Sequence, residues 1–252
     1  MKRRKFITSG ALAASPLAFN MASPMSEQDG ERSLIEWRTY RIRFRGDASI
    51  LTDYLEKVYQ PALRSEGVDQ SFLFRDYSLE EPVNLYLAIN YPNTATYLKC
   101  QTLIDRDTFL SDGDSYHSIT EDQRIYNGFE SWLLYAFEGF PSMSSISKES
   151  GLFELRTYEG YSEDAVRRKI RMFNDEEIDL FKEVGFNSVY FGDMIAGPHR
   201  PSLSYMIQFK DLKERNAQWK TFFDHPEWKR MVALPKYANS VSHIHKRLLI
   251  PA

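Results

Sequence analysis

The chain has 252 residues, 42% hydrophobic and 27% charged, a balance that fits one large or two ordinary globular domains and excludes a disordered or fibrous chain. A formal net charge of −3 supplies no basic field, so no nucleic-acid partner is expected. The lone cysteine, Cys100, excludes an intrachain disulfide framework and any CxxC metal or redox motif, and reads as a small buried apolar residue.

Residues 1–22 read as an address rather than as part of the fold. Lys2, Arg3, Arg4 and Lys5 precede a mildly apolar stretch from Phe6 to Phe19 that is too short and too rich in Ser, Ala and Gly to span a bilayer. Arg3-Arg4-Lys5-Phe6-Ile7 resembles the twin-arginine export motif. This predicts a protein exported folded to the periplasm or cell envelope, with no stable membrane insertion once the signal is removed. The segment carries four basic residues and no acid, which leaves −7 on the remainder.

Further along, alternation predicts a strand over 33–43, then a helix over 48–65 with a kink at Pro61 and a stop at Gly67. Strands are expected at 69–78 and 83–91, joined by Glu80-Glu81-Pro82, and a helix begins near Thr94. Residues 105–128 are polar and read as an irregular excursion around Asp112-Gly113-Asp114, whose spacing fails the EF-hand pattern. A strand over 129–137 closes this unit, and 138–150 is a linker. A second unit then starts with a strand over 152–159. Ser162 caps a helix that runs to Gly185. Strands at 187–195 and 203–210 follow, and Asp211 with Glu214 opens an aromatic helix broken at Pro226. A last strand covers 241–249.

The two units are one pattern written twice. Ile35-Glu36-Trp37-Arg38-Thr39-Tyr40 matches Phe153-Glu154-Leu155-Arg156-Thr157-Tyr158 at an offset of 118. Each unit has the order βαββαβ of a ferredoxin-like sheet with two helices on one face. The expected fold is therefore α+β: tandem ferredoxin-like domains, 33–137 and 151–252, whose sheets pack face to face as a pseudo-dimeric α/β barrel. The faces carrying Glu36, Arg38, Tyr40 and Glu154, Arg156, Tyr158 are expected to point into that barrel and meet across the pseudo-twofold.

The second unit resembles the NIPSNAP family of the dimeric α/β-barrel superfamily. The resemblance is carried by Phe153-Glu154-Leu155-Arg156-Thr157-Tyr158, by Gly192-Asp193-Met194-Ile195-Ala196-Gly197-Pro198, and by Arg215, Trp219 and Phe222 followed by Asp224-His225-Pro226-Glu227-Trp228-Lys229. The first unit lacks the Trp/Pro/Trp block and has Tyr97, Cys100 and Phe109 in that region, which marks it as the degenerate copy. The resemblance implies the barrel fold and a ligand cleft between helices and sheet; it implies little about activity.

Three constellations could carry chemistry. Glu36, Arg38, Tyr40, Glu154, Arg156 and Tyr158 would bind polar groups, or their Glu–Arg pairs simply satisfy one another, because unpaired buried charge is costly. His243 and His245 share one strand face and could share a metal, although no acidic motif adjoins them and Lys246 and Arg247 oppose it. Trp219 and Trp228 could wall a pocket for a flat molecule, with His225 or Tyr205 as acid/base, or they pack as helix core. No cofactor is expected; His225 leaves haem open, but no motif demands it. The resulting expectation is a small-molecule binding protein using the barrel interior or the helix–sheet cleft. The alternatives are a cofactor-poor oxygenase or isomerase, and a protein-interaction adaptor; homo-oligomerisation is left open.

Overall fold

The computed structural model describes residues 32–252 apart from Leu79, and the side chain of Asp107 is likewise left undescribed. The export-like segment 1–22 lies outside the described residues. In chain order the elements of the first unit are β1 (Leu34–Ile42), α1 (Ser49–Tyr54), a π-helical turn (Leu55–Tyr59), α2 (Gln60–Ser65), β2 (Gln70–Asp76), β3 (Asn84–Tyr91), α3 (Thr94–Gln101), α4 (Asp107–Asp112), α5 (Asp114–His117) and β4 (Tyr126–Ala136). Those of the second are β5 (Leu152–Glu159), α6 (Glu163–Met172), a π-helical turn (Phe173–Glu177), α7 (Ile178–Glu183), β6 (Asn187–Ala196), β7 (Ser202–Phe209), α8 (Leu212–Asp224), α9 (Pro226–Val232) and β8 (His243–Pro251).

The eight antiparallel strands close into one barrel in the order β1-β3-β2-β8-β5-β7-β6-β4. Each unit contributes four consecutive staves. The seams are β2–β8, where Phe74 faces Pro251, and β4–β6, where Tyr135 faces Asp193. Closure pairs every sheet edge.

The same local chemistry recurs at the same offset. Asn93 and Asp211 each cap the following helix, accepting from Thr96 N–H and Glu214 N–H at 2.9 Å. Gly67 and Gly185 end the first helix of each unit at φ +84° and +81°, a conformation that disfavours any side chain. The π-helical turns also lie 118 residues apart. This corrects the expected proline kink: the second unit has Asp179 where the first has Pro61 and carries the same turn, so the widening belongs to the repeat rather than to the proline. The excursion at 105–128 also differs from expectation, since most of it is helical: α4, α5 and short 3₁₀ turns.

The barrel core is apolar. Ile35, Trp37, Phe74, Tyr86, Leu155, Phe153, Tyr190 and Met206 fill it. One end is covered by the linker, whose Met143 joins this core. Gln208 accepts from Ser147 N–H at 2.8 Å and donates to Ser145 O at 3.1 Å, while Asn90, its counterpart 118 residues earlier, donates to Ser142 Oγ at 3.0 Å. The other end is open.

This arrangement corrects the expected facing of the motif strands. Ile35, Trp37 and Leu155 point into the barrel, whereas Glu36, Arg38, Tyr40, Glu154, Arg156 and Tyr158 lie on the outer face beneath the helices of their own units. They do not meet across the pseudo-twofold. Both faces of β1 and β5 are buried, one by the opposite sheet and one by helices, so alternation alone could not tell them apart.

Candidate functional site

Each Glu–Arg pair is completed within its own unit. Glu36 accepts from Arg38 Nε at 2.7 Å and Nη2 at 3.0 Å, from the Tyr91 hydroxyl at 2.9 Å and from Ser131 Oγ at 2.5 Å. Burial would push its carboxyl up, but the Arg38 charge and these hydrogen bonds outweigh it and hold it below the usual range. Glu154 accepts from Arg156 Nε at 2.7 Å, Arg215 Nε at 2.7 Å and Nη2 at 3.0 Å, and Trp219 Nε1 at 2.7 Å. Burial is again outweighed, here by the Arg215 hydrogen bonds and the Arg156 charge.

The units diverge above these pairs. In the second, the Trp219 ring lies on the Arg156 guanidinium, 3.5 Å from its carbon to the ring centroid. Trp219 also packs against Phe186 and Phe181 at 4.7 and 6.1 Å, so the space between helices and sheet is filled. Trp228 continues this packing at 4.5 Å from Phe222. Gln101 occupies the position in the first unit that corresponds to Trp219. There α3 stops, while α8 runs on to Asp224. The space above Arg38 is left as a cleft of about 430 Å³.

Arg38, Glu36 and Ser131 form the polar floor of this cleft, and Tyr40, Tyr54, Tyr59, Tyr97, Tyr116 and Tyr126 dominate its walls. Tyr59, which ends the first π-helical turn, sets its ring 5.0 Å from the Arg38 guanidinium carbon. Tyr116 stacks on Tyr54 at 4.2 Å and shares a 2.7 Å hydrogen bond with the Tyr126 hydroxyl. Burial pushes the Tyr40 phenol up to about 12, so this hydroxyl is neutral across the physiological range. His117, from α5, sits edge-on to Tyr54 at 5.1 Å. Its buried Nε2 has no hydrogen-bond partner among the described residues, and burial lowers its pKa. Cys100 also lines the cleft, and burial raises its thiol.

The other expected site residues are placed apart from this cleft. Tyr205 is buried, with its hydroxyl 2.7 Å from that of Tyr158. Burial pushes it well above an ordinary phenol. His225 is a helix cap: its Nδ1 accepts from Glu227 N–H at 3.2 Å. No hydrogen bond joins these two residues among those described. Trp219 and Trp228 are core packing rather than a pocket wall. His243 and His245 stand at the open end of the barrel, where His199 joins them.

Sequence reasoning missed Tyr54, Tyr59, Tyr116 and His117. The available signal was the missing Trp/Pro/Trp block in the first unit, which leaves Gln101 where a filling side chain is needed.

Comparisons with known proteins agree with this architecture. The NIPSNAP family model matches residues 153–252. A candidate monooxygenase from Fusobacterium nucleatum subsp. nucleatum has the same fold at TM-score 0.58 and 10% identity, over 87% of this chain and 92% of that one. A second, from Lactobacillus acidophilus, gives TM-score 0.56 and 11% identity over 87% and 94%. An uncharacterized NIPSNAP-like domain protein from Burkholderia xenovorans is 19% identical, covering 41% of this chain and 87% of its own, at TM-score 0.37. No curated protein sequence matches the chain. The likeness to the NIPSNAP family is thus carried by the second unit, residues 153–252.

Proposed function

We infer that the chain binds a flat aromatic molecule in the cleft of its first unit. The observation that carries this is the difference between the two units: the same Glu–Arg floor is covered by Trp219 in one and left open beside Gln101 in the other. A cavity of about 430 Å³ with aromatic walls and a few converging polar groups suits a drug-sized ligand. The Glu36 carboxylate neutralises Arg38, so the floor favours a carbonyl or phenol oxygen over a carboxylate.

Native mass spectrometry with 1-naphthol, 1,4-naphthoquinone and salicylate tests this reading. The naphthalene compounds should bind one per chain, and Gln101→Trp should abolish binding while the variant remains folded. Equal retention of all three probes by the variant would contradict it.

His117 supports a second reading as a cofactor-poor oxygenase, because an imidazole with a bare buried nitrogen in the same cleft is placed as an acid/base. The fold likeness to candidate monooxygenases is consistent with this. Dioxygen consumption that requires a bound phenol and is lost in His117→Gln would support it; binding without consumption leaves the chain a carrier. We also propose that the protein is exported by the twin-arginine route, carried by Arg3 and Arg4. Replacing both with Lys should retain the protein in the cytoplasm.

A further inference from the structure

Among the described residues, three of the chain's five histidines gather at the open end of the barrel. His243 and His245 come from β8, and their rings are 4.4 Å apart. His199 comes from the loop between β6 and β7, and its ring is tilted against that of His245 at 4.1 Å. Glu159, the last residue of β5, lies among them: its Oε1 is 2.8 Å from His199 Nδ1 and 2.5 Å from His245 Nε2. Ligand atoms of Glu159, His199 and His245 all lie within 4.8 Å of one another.

We propose that Glu159, His199 and His245 form a binding site for a divalent first-row transition cation, zinc being the simplest case, with its remaining positions facing the barrel cavity. Zinc takes imidazole nitrogen and carboxylate oxygen at about 2.0–2.2 Å in tetrahedral geometry, so adjacent ligands sit about 3.4 Å from one another across it. The two measured separations, 2.8 and 2.5 Å, fall short of that by less than about 1 Å. A cation would therefore enter by small side-chain rotations, replacing the hydrogen bonds to one carboxylate oxygen with bonds to itself.

Three features favour a metal over a hydrogen-bonded rim. First, the three groups come from three separate chain segments, and His199 is held at φ +62°, a sparsely populated conformation outside glycine. Second, the neighbouring cations have carboxylates of their own. Arg247 pairs with Asp76 at 3.2 Å and Arg41 pairs with Glu130, leaving Glu159 to the histidines. Strand parity also turns Lys246 away from the face that carries His243 and His245. The sequence-based objections, basic neighbours and no acidic residue, are thereby met. Third, the site opens on a cavity of about 690 Å³. Trp37 Nε1, Trp132 Nε1 and Thr39 Oγ1, from residues lining it, have no hydrogen-bond partner among the described residues. An oxygen ligand carried by the metal would find donors there.

The donor set selects the metal class. Two imidazoles and one carboxylate suit Zn, Fe, Ni or Cu, whereas Mg and Ca prefer all-oxygen shells. The site is separate from the aromatic cleft and stands or falls independently of it.

The test is NMR of the histidine rings in the untagged, chelator-stripped full chain, titrated with Zn²⁺ alone. The ring signals of His199, His243 and His245 should shift and saturate at one equivalent per chain, leaving His117 and His225 unmoved; Mg²⁺ should move none. Glu159→Gln should weaken binding by about tenfold or more, and His199→Gln with His245→Gln should abolish it. Uniform movement of all five histidines, no movement at one equivalent, or unchanged affinity in Glu159→Gln would overturn the proposal. The wild-type pattern decides the matter even where a variant fails to fold.

Discussion

Exchanging the residues that differ between the two units should have opposite consequences in each. Trp219→Gln removes a fully packed indole, its contacts with Phe186 and Phe181, its stacking on Arg156 and its 2.7 Å hydrogen bond to Glu154. Truncating a buried Trp costs about 3–5 kcal/mol, and a hydrogen bond to a charged group accounts for about 1.5–3 kcal/mol when lost. Glutamine keeps an amide that can donate to Glu154, so the expected cost is about 3 kcal/mol, near the lower end of the truncation range. Gln101→Trp enters an existing cavity and should cost under about 1 kcal/mol or stabilise slightly, because it displaces no packed side chain. Urea unfolding of the two variants measures both changes as midpoint shifts at constant slope. Equal destabilisation by the two exchanges, or a loss below about 1 kcal/mol for Trp219→Gln, would refute the filled-versus-open account of the clefts.

Two other perturbations test the packing that positions the second unit. Lys169 and Glu177 form a buried pair at 2.5 Å across the π-helical turn. Lys169→Met should therefore cost about 3–5 kcal/mol by stranding the carboxylate, whereas Lys169→Met with Glu177→Leu should recover most of it; a double-mutant cycle in urea reads the difference. Glu176 accepts from Arg230, from the Tyr237 hydroxyl at 2.8 Å and from Lys236 at 3.1 Å, and the Arg230 hydrogen bond leads in lowering its pKa to about 2. A carboxyl lowered on folding stabilises fully above its unfolded value, near 4.5, and loses that contribution as pH falls toward 2. Glu176→Gln should therefore flatten the fall in stability between those two pH values, as measured by thermal midpoints, and an unchanged slope would count against it.

The repeat was legible in the sequence because its signals are local. The matching hexapeptides, the helix caps at Ser162 and Asp211 and the stops at Gly67 and Gly185 each act within a few residues. Ser162 Oγ accepts from Ala165 N–H at 3.2 Å, as a cap should. What the sequence hid depends on tertiary context. Glu36-Trp37-Arg38 alternates correctly, yet with both faces buried nothing local says which one meets helices. The π-helical turns leave no mark in composition; Leu55–Tyr59 and Phe173–Glu177 share a position but little chemistry. Tyr116 and His117 lie far from Arg38 in sequence, and only folding of the 105–128 segment brings them over it, beside Tyr54 from α1. The histidine cluster was half visible, as His243 and His245; Glu159 and His199 arrive from two other segments.

The most direct measurement is isothermal titration of 1-naphthol into the wild-type chain and into Gln101→Trp at neutral pH. One site is expected in the wild type and none in the variant, with both chains giving the same thermal midpoint within a few degrees. Binding of equal stoichiometry and affinity in both would contradict it, because the ligand would then lie somewhere other than the space left open above Arg38.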